Sequence, residues 1–256
     1  MNNFDEQYYL DLYPDVLHAV HQKVFKSGHD HFMKHGASEG RSFRYTEQVK
    51  ESKDFYTWYF ELMKPIKKPI IIEIGANDGQ DTIKLASLKD SIVHCFEPEP
   101  RCKLEGMPNN VIINRCAVSN KKGTFEFNQS DSPGHNWTYS GSLLNPKNHL
   151  TTHKHVYFKN IVKVPVITLD QYCKENKIES IDFLYMDTQG AESLIFEGAK
   201  NILKKTRFIY TEYSNDEMYE GQKPLTELLK QLETFFVLDD WPIEPSNVLL
   251  QNLEYL

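Results

Sequence analysis

Basic residues are the minority in this chain: 29 Lys and Arg face 36 Asp and Glu, for a net charge of -7. That balance argues against a phosphate backbone, and so against nucleic acid, as the main partner. Cysteine is scarce, with four residues in 256. Cys95, Cys102, Cys116 and Cys173 show no C-x-x-C spacing, which leaves a zinc knuckle or redox pair unsupported. Cys95 and Cys116 sit in apolar, strand-like runs and read as buried thiols, suited to a reducing compartment. No apolar run approaches the length of a membrane span. The first ten residues carry acids and tyrosines where a secretory signal would need basic and apolar regions. These absences predict a cytoplasmic protein without a membrane span. Large apolar side chains, by contrast, are plentiful: 14 Tyr and 15 Phe suffice for one sizeable domain and a small appendage.

Three zones differ in pattern. In residues 1–44, Phe4, Tyr8, Leu12 and Val16 recur at the spacing of one helical face, with Pro14 breaking or restarting the helix. Gly28 and Gly36 punctuate a second short helix around Asp30 to Lys34. This zone reads as a small helical module. In residues 45–68, Phe55, Trp58, Tyr59 and Leu62 mark a connecting helix that Pro65 ends. In residues 69–256, strand-like runs at 70–74, 92–96, 111–115, 183–186, 208–211, 235–238 and 247–251 alternate with helical stretches at 81–88, 169–175, 191–203 and 224–232. Such alternation predicts an α/β fold with a mostly parallel, doubly wound sheet. Lys121-Lys122-Gly123 reads as a hairpin turn between strands 117–119 and 124–127, and 128–160 as a long, polar loop.

The run Ile70-Ile-Ile-Glu-Ile-Gly-Ala-Asn-Asp-Gly79 takes an apolar strand into a tight turn and a helix. Glycine permits close backbone approach, and a helix start offers unpaired N–H groups. A dinucleotide fingerprint would place glycine at position 77, where this chain has Asn77, so an NAD-dependent oxidoreductase is disfavoured. After the second strand, Glu97 stands where a carboxylate can accept hydrogen bonds from both hydroxyls of a ribose, followed by Pro98. The plainer alternative is a cap on the turn at Pro98. Strand, glycine loop, helix, strand and acid in register point to an adenosine-containing ligand. The expected contacts are Glu73, Gly75, Ala76, Asn77, Gly79, Thr82, Glu97 and Pro98, with Ala117 small enough to let a ring lie flat. A second strand-to-helix junction, 181–192, carries Asp187, which should face the same crevice because ligands bind outside the carboxyl ends of the strands.

Taken in order, Glu73–Gly79, Phe96-Glu-Pro98, Ala117-Val-Ser119 with Gly123, Thr168-Leu-Asp170, Asp187-x-Gln-Gly-Ala-Glu192 and Glu197-Gly-Ala199 resemble the FkbM-type methyltransferases over roughly residues 69–238. The resemblance implies a seven-stranded class I methyltransferase sheet, S-adenosylmethionine as donor, and an oxygen acceptor on a sugar, polyketide or similar metabolite. Two positions depart from the pattern: Tyr185 stands where many members carry Lys, and Gln189 where many carry Glu. Tyr185 removes a fixed cation that would steer an anionic acceptor. Separately, Phe4-Asp5, Tyr13-Pro-Asp-Val16, His31-Phe32 and Glu39-Gly-Arg41 resemble a short helical module found beside glycan-processing domains, an association that hints at a glycan acceptor.

Methyl transfer needs alignment and the removal of one proton. Asp187 is the first candidate acid, able to bind the cofactor's amino group or take the proton; Glu212, at the end of another strand, is the second. Together they could hold a divalent cation, but hydrogen bonding is the commoner use of such a pair, and no metal is assigned. Among the histidines of the long segment, His155 is the chosen base candidate, with His153 and His135 as alternatives. Trp137, Tyr139 and Trp241 could form a sugar-stacking wall. The leading expectation is therefore an O-methyltransferase for a sugar, glycan or small metabolite, with the N-terminal module as a candidate homodimer contact. The competing expectation is an inactive methyltransferase fold serving as a carbohydrate-binding or scaffold protein.

Overall fold

The computed structural model describes residues 4–37, 39–43, 53–242 and 246–255. The helical module begins with α1 (Glu6–Leu12), whose first turn is closed by Asp5 accepting from the Tyr8 N–H. Pro14 restarts the helix: it opens α2 (Pro14–His21) at the first position, where a missing N–H costs nothing. α3 (Gly28–His31) runs into a wider turn at Phe32–Gly36, and the Glu6 carboxylate closes its start through the N–H groups of Gly28 and His29. Phe4, Tyr9, Leu10, Tyr13 and Val16 form the module's own core, while Tyr8 joins the core of the main domain. His31 is a packing residue, buried with Nδ1 3.1 Å from the Tyr9 hydroxyl. The expected boundary at 44/45 lies outside the described residues; the connecting helix appears as α4 (Phe55–Met63), which lays Tyr59 and Met63 on the sheet.

All seven expected strands exist and form one sheet. They are β1 (Ile70–Ile74), β2 (Ile92–Phe96), β3 (Val111–Asn114), β7 (Ile181–Met186), β8 (Thr206–Tyr213), β9 (Phe235–Trp241) and β10 (Ser246–Asn252), in the order β3-β2-β1-β7-β8-β10-β9. Only β10 runs against its neighbours. One face packs on α7 (Leu169–Glu175), α8 (Glu192–Glu197), α9 (Lys200–Leu203) and α10 (Leu225–Lys230) through Leu169, Ile195, Phe196 and Leu228. The other packs on α4 and α5 (Gln80–Ala86) through Tyr59, Met63 and Leu85. The chain leaves β1 toward β2 on one side and returns beside it as β7 on the other. The β1/β7 boundary is thus the switch point of the sheet, where such folds bind ligands.

Two local expectations are corrected. The segments 117–119 and 124–127 do not pair as a hairpin. β4 (Ala117–Val118) lies parallel to one edge of β6 (Tyr157–Ile167), and β5 (Gly123–Asp131) lies antiparallel to its other edge. Ala117 and Gly123 both oppose Val166, so a strand separates them. The stretch 128–160 is consequently not one long loop: it holds the end of β5, the start of β6 and a short helix, α6 (His149–Thr152). β6 escapes a search for continuous apolar runs because exposed Lys163 and Pro165 alternate with the inward Val162, Val164 and Val166, and Lys159 and Asn160 precede them. The single helix expected at 191–203 is α8 and α9, broken at Gly198, where a Cβ would stand 2.2 Å from the Ser119 carbonyl oxygen.

Candidate active site

One cavity of 430 Å³ opens at the carboxyl ends of β1, β2, β7 and β8, within the size range of small-molecule sites. Its floor is the turn after β1. Gly75 adopts φ +91, and a Cβ there would lie 1.8 Å from the Asp187 carbonyl oxygen, so only glycine lets the ends of β1 and β7 meet. The Gly75 and Ala76 N–H groups both bond to the Phe96 carbonyl, at 2.9 and 3.1 Å, locking the turn to β2.

Glu97 is 5% exposed and lines the cavity. Its Oε2 accepts from the Asn77 N–H at 2.6 Å and its Oε1 from the Glu99 N–H at 2.7 Å. A carboxylate has about four acceptor positions, so both oxygens keep capacity for further donors. The turn-capping and ligand-binding readings of Glu97 are therefore compatible. Burial pushes its carboxyl up to about 7, against the two N–H bonds that pull it down. Ala76, Asn77, Pro98 and Ala117 line the same half of the cavity.

Glu73, Gly79 and Thr82 do not line it. Glu73 is fully buried behind the turn and accepts from the Thr82 hydroxyl at 2.5 Å; its other oxygen has no partner, and burial pushes it up to about 8. Gly79 ends the turn at φ +80, packed so tightly that a Cβ would lie 2.6 Å from the Met107 methyl. These three residues hold the turn from behind, because their side chains or Cα positions face the packing between β1, α5 and the 102–107 segment.

Across the floor, Asp187 and Glu212 leave β7 and β8 side by side. The Gln189 amide bridges them, donating through Nε2 to Asp187 Oδ1 at 2.7 Å and to Glu212 Oε2 at 2.8 Å. The Tyr219 hydroxyl lies 3.1 Å from Gln189 Oε1 and 2.8 Å from the Ser140 carbonyl, which orients the amide. Asp187 is open to the cavity but ringed by protein. That setting raises its proton affinity, partly offset by its hydrogen bonds with Glu212 and Gln189. Glu192 is structural: it is buried and accepts from the Thr188 hydroxyl at 2.8 Å and from the Gly190 N–H at 3.3 Å.

The remaining wall comes from 137–156 and 213–222. Thr138 donates to Asn77 Oδ1 at 2.7 Å and Tyr139 to Asp78 Oδ2 at 3.0 Å, strapping this segment across the glycine turn. Trp137, Tyr139, His149, His153, His155 and Tyr219 all line the cavity. His155 stands edge-on to Trp137, ring centres 5.9 Å apart, and His153 faces His149 at 4.6 Å. His135 is exposed in a separate turn, and Trp241 packs on Tyr210 across the sheet; neither reaches the cavity. His149 is one of several lining residues, with Asp81, Thr138, Tyr219 and Gln222, that the sequence does not single out. It is 5% exposed, its Nδ1 has no partner, and burial drives its imidazole down to about 4. No motif surrounds it, and its position follows from bonds of 147–149 to Glu217 and Met218. Tyr185 points away from the cavity into the α4 face, donating to Asp81 Oδ2 at 3.0 Å. Among the described residues no group of three or more His, Cys, Asp or Glu side chains is arranged to hold a metal, and no helix is long and apolar enough to cross a membrane.

The profile of the methyltransferase FkbM domain matches residues 73–241. The 2-O-methyltransferase NoeI of Sinorhizobium fredii (strain NBRC 101917 / NGR234) is 41% identical over 194 residues, 72% of this chain and 79% of that protein. Among solved structures, the N-terminal domain of EvdMO1, crystallised in the presence of SAH and D-fucose, is 11% identical and covers 79% of this chain and 82% of its own, with a TM-score of 0.40. An rRNA methylase from Streptococcus thermophilus is 14% identical over 78% of this chain and 96% of its own, with a TM-score of 0.43. The family match spans the glycine turn, both bridged carboxylates and the cavity wall between them: the chain belongs to the FkbM methyltransferase family, and it is a methyltransferase.

Proposed function

We propose that the chain is an S-adenosylmethionine-dependent O-methyltransferase acting on a hydroxyl of a sugar, a glycan or a related small metabolite. One observation carries this reading: the Gly75 turn, Glu97, Asp187 and Glu212, from four separate strand ends, border a single cavity at the switch point of the sheet. The 2-O-methyltransferase named among the relatives supports oxygen as the accepting atom.

The residues present fit the donor. Glu97 has acceptor positions left for the two hydroxyls of a ribose, and Ala117 and Pro98 offer small apolar surface for a flat ring. The turn of Gly75, Ala76 and Asn77 brings main chain to the cavity floor beside Asp187. S-adenosylmethionine supplies an electrophilic methyl on a sulfonium and leaves as S-adenosylhomocysteine. The chain's own task is to hold the acceptor oxygen and remove its proton. Asp187 and Glu212 accept from acceptor hydroxyls in place of the Gln189 amide, and Asp187, whose proton affinity is raised, takes the proton as the C–O bond forms. His155, set against Trp137, stands on the acceptor wall as a second proton acceptor. The strap 137–140 shields the floor from water.

Two readouts test this. S-adenosylhomocysteine should raise the melting temperature of the full chain, and label from methyl-labelled donor should appear on a glycoside hydroxyl. A folded protein with no shift at millimolar ligand would refute the reading.

A further inference from the structure

We infer that the part of the acceptor entering the cavity carries no negative charge: it is a neutral polyol, a glycoside ring bearing adjacent hydroxyls, and the cavity selects against matched uronates, sugar phosphates and nucleotide-diphosphate sugars. This inference deepens the methyltransferase reading and rests on it. Its basis is the charge of the lining. Five carboxylates border the cavity, Asp78, Asp81, Glu97, Asp187 and Glu212, and no Lys or Arg among the described residues does. Two cations nearby are engaged on the outer side. Arg101 pairs with Glu99 at 2.8 Å and Lys147 pairs with Glu217. The position two residues before Asp187 is Tyr185, whose hydroxyl is turned to Asp81.

His149 does not replace the missing cation. His149 is buried and held neutral well below pH 7, because burial and its neighbour His153 both disfavour the imidazolium. The acids already resist further negative charge, since burial raises both Glu97 and Asp187. An anion placed here would lose its water beside five acidic side chains, and no Lys or Arg on the lining would offset that.

A neutral diol meets the opposite situation. Gln189 Nε2 already sits between Asp187 and Glu212 as a pair of donated hydrogen bonds, at 2.7 and 2.8 Å. Two adjacent hydroxyls present the same two donors to the same two acceptors. The aromatic edges of Trp137 and Tyr139, 5.0 Å apart, give the apolar face of a pyranose ring a surface to lie on.

The test uses the full chain, methyl-labelled donor and matched acceptors: the methyl glycoside of a neutral hexose, the corresponding uronate, and the corresponding 6-phosphate. Binding of each to protein loaded with S-adenosylhomocysteine is measured in parallel by ligand-observed NMR. We expect kcat/KM at least ~100-fold lower for both anions, the scale on which like-charge juxtaposition acts. Gln222→Arg, which places a cation on the lining, should raise the anion-to-neutral ratio by about tenfold. Turnover or binding of an anionic acceptor at parity with the neutral one overturns the inference. So does binding of no acceptor from either class while the S-adenosylhomocysteine shift persists. Loss of that shift itself overturns the methyltransferase reading instead, so the two failures are distinguishable.

Discussion

The half of the cavity proposed for the donor and the half proposed for the acceptor are built by different means. The donor half is main chain and short range: Gly75, Ala76 and Asn77 are fixed to β2 by bonds to Phe96 and Glu97, all within 23 residues of sequence. The acceptor half is side chain and long range. Gln189 spans from β7 to Glu212 on β8, Tyr219 reaches Ser140, and Thr138 reaches back to Asn77. A turn dictated by two glycines tolerates little change. A wall assembled from loops 137–156 and 213–222 can change its side chains while the sheet stands, which suits a fold that keeps one donor and varies the acceptor.

The contrast is testable by substitution, and the largest effect belongs to the donor half. Gly75→Ala places a methyl 1.8 Å from the Asp187 carbonyl, at a φ that alanine avoids. It should abolish S-adenosylhomocysteine binding and lower the melting temperature, both read by one thermal scan. An unaltered scan would break the claim that the turn is main-chain-dictated.

Next comes the bridged pair. Asp187→Asn removes a proton acceptor but keeps hydrogen bonding, so kcat should fall by ~10²–10⁴ with donor binding retained. A kcat within a few-fold of the parent would move the proton acceptor elsewhere, with His155 the next to substitute. Glu97→Ala should act on the other half, weakening S-adenosylhomocysteine by about 100-fold through the loss of charge-assisted bonds, as measured by calorimetry. If acceptor KM responded more than donor affinity, the division into halves would be wrong.

Smaller still, Trp137→Ala should raise acceptor KM by about tenfold and leave kcat nearly unaltered, since a stacking surface binds ground and transition states alike. The smallest effect concerns Glu73, behind the turn. Its carboxyl is raised from the ordinary 4.5 to about 8 by burial. For a raised carboxyl, the stability contribution is complete below pH 4.5 and is lost as pH rises through about 8. Glu73→Gln should therefore gain melting temperature over the parent progressively between pH 4.5 and about pH 8 and level off above it. A gain independent of pH would show that Glu73 does not carry the proton.

The same contrast explains what the sequence disclosed. The seven-stranded sheet was legible because each of its strands is a short apolar run beside a turn or helix signal. Gly75, Ala76, Asn77, Glu97, Pro98, Ala117, Asp187 and Glu212 were legible as cavity residues because they sit at strand ends, where topology alone aims them at the switch point. Thr82 and Glu73 looked equivalent to these, but alternation along β1 and the helical turn of α5 point them at each other instead. The wall at 137–156 was legible by residue type in Trp137, Tyr139, His153 and His155, while the pairing that places it was not. β6 offers only the short alternation Val162-Lys-Val-Pro-Val166, and its long-range pairing with β4 and β5, which sets where 137–156 can run, is not encoded in that pattern. His149 follows from that placement and from the 217–218 turn, contacts that no local spacing encodes.

The central claim is that one cavity holds the donor on Glu97 and presents the acceptor to Asp187 and Glu212. A crystal structure of the protein with S-adenosylhomocysteine tests it most directly. The account predicts both ribose hydroxyls on the Glu97 carboxylate, with the sulfur turned toward the Asp187–Glu212 pair. A ligand bound away from Glu97, or with its sulfur facing the solvent side of the glycine turn, would contradict it.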